Sequence, residues 1–180
     1  MNKTALLVID VQNDYFPKGK MELCGTEQAL IHINRLENEF IKNDQPIIYI
    51  QHIVNEPNAA FFEAGTLGVE LHSGLNIEPD AIVIEKQYPN SFFQTTLKEE
   101  LDRLDVEKVV ISGMMTHMCV DATSRASAEL GYQPIIIAEA TATRNLSYSD
   151  RIVKAEDVQT ACLSAFQMFS QVISIEEYLK

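Results

Sequence analysis

A chain of 180 residues, 46% of them hydrophobic and 22% charged, can bury a core without metal or disulfide staples and has neither a disordered nor a membrane-embedded profile. Its net charge of −12 excludes a phosphate-binding surface of clustered Lys and Arg, so nucleic acid is not an expected partner. Cys24, Cys119 and Cys162 are odd in number and far apart, without a CxxC pair, which excludes a disulfide framework and a zinc ribbon.

The chain opens on "MNKTALLVID", which carries no cleavage-site pattern, and its longest apolar runs are far short of a membrane span. A cytoplasmic protein of one domain, residues 1–180, is expected. Six short β-branched runs follow one another: 4–11, 45–52, 80–86, 107–113, 132–140 and 170–175. Most are apolar throughout, as parallel strands covered on both faces are.

Helical spacing separates them. Over 26–43, Leu30, Ile33, Leu36, Phe40 and Ile41 recur on one face, with Thr26 as the expected N-cap. Further helices are expected over 91–105, 119–131, where Gly131 reads as the stop, and 155–169. The alternation predicts an α/β fold: three layers, a doubly wound, mainly parallel six-stranded sheet with helices on both faces. Residues 53–79 break every period with Pro, Gly and Asn; so long a connection in a compact domain reads as a functional segment or lid.

In open α/β sheets, sites gather at the carboxyl ends of the strands. Those ends carry Asp10, His52, Lys86, the break before Cys119, and Glu139. An acid, a lysine and a cysteine on one edge are a means of activating a thiol. A helix N-terminus and a neighbouring ammonium favour thiolate, a carboxylate can take the thiol proton, and backbone N–H groups in "GMMTHMC" can face an oxyanion. Each residue also has a plain structural reading. A lone cysteine is commonly a small buried apolar residue, Asp10 a turn residue and Lys86 a solvated charge.

Together, three segments are decisive. "LLVIDVQNDYF" resembles the D-x-Q-x-D-F-F opening of the isochorismatase-like cysteine hydrolases, with Tyr15 in place of a Phe. "EKQYPNSFFQTTL" resembles that family's lysine segment, and "VISGMMTHMCVDATSRASAELGY" its G-x-x-T-x-x-C-V-x-x-T-x-R-x-A segment. The resemblance spans the chain. It implies Cys119 as nucleophile, Asp10 as general base and acid, and Lys86 as the group that polarises the thiol. It further implies a cis peptide between Met114 and Met115, with the N–H groups of Met115 and Cys119 as oxyanion donors.

The cysteine favours attack on a carbon bonded to nitrogen, hence an amide or ureido substrate and a thioester-type intermediate, over the vinyl ether of isochorismate. A non-catalytic binding member of the fold is the alternative from a different class. A phosphoryl acceptor at Asp10 is disfavoured because "DVQND" lacks an acid two residues on. Nicotinamidases of the family carry a D-x-H metal motif, whereas here the strand ends "YIQHIV". No metal and no cofactor are expected. Phe16, His52, Tyr88, Phe92 and His117 are candidate substrate contacts, a small molecule is the expected partner, and the resemblance implies a homo-oligomer, dimer or tetramer.

Overall fold

The computed structural model describes residues 3–180. In chain order the elements are β1 (Thr4–Ile9), α1 (Thr26–Lys42), β2 (Ile47–His52), β3 (Ile82–Lys86), α2 (Leu97–Arg103), β4 (Lys108–Met114) and α3 (Asp121–Glu129), then β5 (Gln133–Ala142), β6 (Leu146–Tyr148), β7 (Arg151–Val153), α4 (Ala155–Phe166), β8 (Gln171–Ile173) and α5 (Ile175–Tyr178). Six strands form one sheet in the order β3-β2-β1-β4-β5-β8. Every pairing in it is parallel, so the expected fold class is found, with no antiparallel edge.

Side-chain alternation along the strands divides the core in two. Leu6, Val8, Tyr49 and Val110 pack with Ala29, Ile33, Leu36 and Phe40 of α1 and with Ile175 of α5. Ala5, Leu7, Ile9, Ile48, Ile50, Val109 and Ile111 pack on the other face with Leu97 and Leu101 of α2 and Phe166 of α4. Burial of both sets explains why the strands read as continuous apolar runs rather than as an alternating pattern.

Four local expectations are corrected. Thr26 is the first residue of α1, not its cap; Gly25, at φ +78°, makes the left-handed entry, following the bridge that Cys24 forms with Thr143. The helix expected from 91 begins only at Leu97, because Ser91 is held by Thr123 and Gln94 is left-handed at φ +56°. The helix expected from 119 is preceded by a π-helical turn, Thr116–Val120. The hairpin β6–β7 was not anticipated, since its three-residue strands expose Tyr148 and Ile152 and show no buried face. Gly131, at φ +93°, ends α3 as expected.

Candidate active site

Strand β1 delivers the first group. Asp10 is fully buried and left-handed at φ +51°, a conformation that a non-glycine residue adopts where surrounding contacts enforce it. Here its N–H is bonded to Ile50 O (3.0 Å) and its carbonyl accepts from Gln12 N (3.0 Å). The bend turns three residues of "DVQND" to separate tasks. The Gln12 side chain donates to His52 O (2.9 Å) and Val69 O (2.6 Å) and accepts from His52 N (2.8 Å). Asp14 accepts from Phe62 N (2.7 Å) and Lys20 N (3.1 Å), while a Cβ on Gly68 would lie 2.3 Å from its carboxylate. The segment read as a lid is therefore fastened to the strand that supplies Asp10.

Strands β2 and β3 bring His52 and Lys86 side by side, since the two are register partners. Lys86 Nζ donates to Asp10 Oδ2 (2.8 Å), His52 Nδ1 (3.0 Å) and Tyr88 O (3.1 Å). An ammonium has no acceptor to offer, so His52 Nδ1 accepts and the imidazole proton lies on Nε2. Cys119 Sγ is 3.9 Å from the same Nδ1, which is 3.8 Å from Asp10 Oδ2. Asp10 Oδ1 is buried with no hydrogen-bond partner. One carboxylate oxygen is thus held by Lys86 while the other remains available to take a proton.

The strand–helix seam before Cys119 is shaped by its backbone. Gly113, at φ +115°, lies against β1; a Cβ there would be 2.0 Å from Ile9 O. The Met114–Met115 peptide is cis. Thr116 Oγ1 donates to Ala142 O (3.1 Å) and His117 Nδ1 is 2.6 Å from Thr143 Oγ1, which ties the turn to the end of β5.

Burial and charge oppose each other at this site. Burial pushes the Asp10 carboxyl up, but the Lys86 charge beside it holds it below the usual carboxylate value. Burial alone would lower Lys86; the adjacent Asp10 charge raises it. Burial and then the Asp10 charge push the Cys119 thiol well above its usual value, and Lys86 only partly opposes them. Lys86 favours thiolate, as expected, but burial and the Asp10 charge outweigh it, so the thiol is pushed up on balance.

The remaining candidates fall differently. Phe16 is buried and stacks on His72 with centroids 3.8 Å apart. Tyr88 touches the cluster through its carbonyl, while its half-exposed ring packs on Phe93. Phe92 is partly buried, stacks on Tyr132 and packs against the hydrophobic cluster that includes Cys119. Glu139 lies within β5 and accepts from Ile175 N (3.1 Å). Phe62, 6.0 Å from the His52 ring and 4.5 Å from that of Tyr15, forms an apolar wall. The structural duties of Gln12 and Asp14 were missed, although polar residues at alternate positions just past a strand were the available signal.

Asp10, His52 and Cys119 each present a donor atom within 4.8 Å of the others. They fit a metal poorly. The Lys86 ammonium lies hydrogen-bonded between two of the three donors, and a dication would have to displace it. Gln51, at the strand end where a D-x-H motif would place ligands, is bonded to Val69 O (3.0 Å). No step is routed through a metal.

Comparison with known proteins follows the same path. The Isochorismatase domain model matches residues 4–177. An uncharacterized isochorismatase family protein, YddQ, of Bacillus subtilis is 42% identical over 98% of this chain and 99% of its own length. The crystal structure of a candidate isochorismatase hydrolase from Oleispira antarctica superposes with a TM-score of 0.94 at 37% identity, covering 98% of this chain and 96% of that one. A ureidoacrylate amidohydrolase, RutB, of Pseudomonas savastanoi is 25% identical over 77% of this chain and 70% of its own.

Proposed function

We propose that this chain, which belongs to the isochorismatase family of hydrolases, cleaves a C–N bond of a small amide or ureido compound through a thioester-type intermediate on Cys119. The observation that carries the reading is the convergence of Cys119 and Asp10, whose donor atoms lie within 4.8 Å of each other, with Lys86 holding Asp10 Oδ2 and Asp10 Oδ1 left without a partner. Sγ attacks the carbonyl carbon as its proton passes to Asp10 Oδ1, so no free thiolate has to exist in the buried site. Lys86 stays on Oδ2 and fixes the carboxylate. The N–H groups of Met115 and Cys119 are the assigned donors to the oxyanion.

Collapse of the tetrahedral adduct breaks the C–N bond, and the proton on Asp10 leaves with the amine. Water then attacks the thioester, giving its proton to Asp10, which returns it to sulfur as the C–S bond breaks. One water is consumed and the resting charges are restored. His52 is a positioning residue in this scheme: its Nδ1 accepts from Lys86 and its backbone is clamped by Gln12. The amidohydrolase named among the relatives supports a C–N substrate.

Turnover of primary amides, ureido acids and a vinyl ether, with intact-mass detection of an acyl adduct, tests the proposal. Wild type is expected to turn over a C–N compound and accumulate the adduct. Cys119→Ala is expected to lose about a thousandfold or more in kcat and to show no adduct. Undiminished turnover by Cys119→Ala, or cleavage of the vinyl ether alone, refutes it.

A further inference from the structure

We infer that the Tyr15 hydroxyl is a specificity-determining hydrogen-bond donor of the substrate pocket, and that the substrate carries an acceptor atom for it besides the scissile carbonyl. The inference rests on the reading of Cys119 as nucleophile and adds to it the class of substrate. Position 15 is where this chain departs from the D-x-Q-x-D-F-F pattern, and the departure is one oxygen atom. Tyr15 is only 1% exposed and belongs to the same buried cluster as Phe62 of the anchored segment and Met114 and Met115 of the nucleophile turn. Its ring packs 4.5 Å from that of Phe62, which in turn lies 6.0 Å from the His52 ring. The phenol thus stands where the 53–79 segment meets the catalytic edge of the sheet.

Packing accounts for the ring and leaves the oxygen over. Tyr15 N donates to Gln12 O (3.1 Å), Tyr15 O accepts from Leu23 N (3.0 Å), and the ring packs on Phe61 and Phe62. The hydroxyl has no hydrogen-bond partner among the described residues, and its oxygen is not wholly covered. Two other buried tyrosines behave differently: Tyr49 donates to Glu37 at 2.8 Å and Tyr132 to Asp102 at 3.0 Å. A buried tyrosine hydroxyl ordinarily finds a partner. A ligand acceptor supplies the one that Tyr15 lacks.

The surroundings fix the role of that oxygen. Burial and then the Asp10 charge push the phenol far above its usual value, so it keeps its proton at neutral pH and donates. Asp10 Oδ1 is itself without a partner, so no hydrogen bond joins it to Tyr15 and the hydroxyl stands apart from the proton transfer. The scissile carbonyl is already assigned the N–H groups of Met115 and Cys119, which leaves the acceptor for Tyr15 to another part of the substrate. A site built around a desolvated donor rejects an isostere that lacks the acceptor, because the donor then stays unpaired. The substrate class is an amide or ureido compound with a second acceptor beyond the bond that is cleaved.

Calorimetric binding of matched primary amides to Cys119→Ala, which lacks the nucleophile, reads the assignment without turnover. Benzamide is compared with its three ring-nitrogen isosteres, and pentanamide with 3-methoxypropanamide. Each exchange puts an atom that accepts but does not donate in place of CH or CH2. At least one acceptor-bearing amide is expected to bind roughly 10-fold more tightly than its apolar isostere, and Cys119→Ala/Tyr15→Phe should bring that pair within about 2-fold. Tyr15→Phe alone should keep or raise the urea midpoint of unfolding, since the oxygen it removes has no protein partner, whereas loss of a structural hydroxyl lowers it. A preference that survives Tyr15→Phe, equal binding within every pair, no binding of any amide, or a lowered midpoint overturns the assignment while leaving Cys119 as nucleophile. Hydrolysis of these amides by Cys119→Ala overturns the nucleophile reading, and the Tyr15 assignment with it.

Discussion

Replacing Lys86 by Met keeps the aliphatic stem and removes the ammonium, leaving Asp10 buried with neither oxygen paired to a cation. Both side chains of the pair are 0% exposed, so solvent does not screen the loss. Breaking a buried pair by removing one partner costs about 3 to 5 kcal/mol. With a urea m-value of about 2 kcal/mol/M, the unfolding midpoint at pH 7.5 should drop by about 2 M. The sign of the pH dependence discriminates further. In wild type the folded pKa of Asp10 is lowered, so its stabilisation is present above the ordinary carboxylate pKa and is lost as pH falls through the folded value. In Lys86→Met, burial acts alone and raises that pKa, so the variant is stable with Asp10 protonated at low pH and loses stability as pH rises through the raised value. The gap between the two proteins should therefore be wide at pH 7.5 and narrow at pH 5, and Asp10→Asn/Lys86→Met should recover much of it. A gap that is the same at both pH values refutes the claim that the ammonium acts by holding Asp10 ionised.

Activity should show an unusually broad pH plateau. The acid limb of kcat/KM falls below the usual carboxylate range because Asp10 is lowered, and the alkaline limb lies above the usual thiol range because Cys119 is raised; an acid limb near neutrality contradicts the assignment of Asp10 as base. Asp14→Ala removes the acceptor of Phe62 N and Lys20 N and should cost about 1 to 3 kcal/mol, with hydrogen exchange accelerated over residues 61–69. If acceleration is confined to residues 10–16, Asp14 does not fasten that segment. Gly113→Ala places a Cβ 2.0 Å from Ile9 O at φ +115° and should yield little soluble protein, whereas Gly65→Ala, at φ +75° with nothing within 4 Å, should cost only about 1 to 2 kcal/mol by urea denaturation. Equal penalties at the two glycines contradict the close approach of β1 and β4.

The inner strands were legible because they are largely buried on both faces and carry apolar runs, while β3 and β8, partly exposed at the sheet edges, were legible from their β-branched residues. Asp10, His52, Lys86 and Cys119 were legible as neighbours because parallel topology collects strand ends on one edge. Their hydrogen bonds and burial were not: the Cys119 thiol is pushed up first by burial and then by the Asp10 charge, and no spacing records either. Residues 91–96 have helical composition, yet the Ser91–Thr123 contact, across 32 positions of sequence, overrides it.

The anchoring of residues 53–79 has a consequence for engineering. Backbone points that hold the segment to the stretch following β1 include Phe62 N on Asp14, Val69 O on Gln12, Glu70 O on Asn13 N, His72 N on Val11 O, and the close approach of Gly68 to the Asp14 carboxylate. Residues 55–60 lie outside those points and are largely exposed. The segment is thus a cassette with fixed ends, whose outer loop can be lengthened, shortened or exchanged while the sockets at positions 12 and 14 are left untouched. Grafting there leaves the neighbouring carboxylate at position 10 undisturbed.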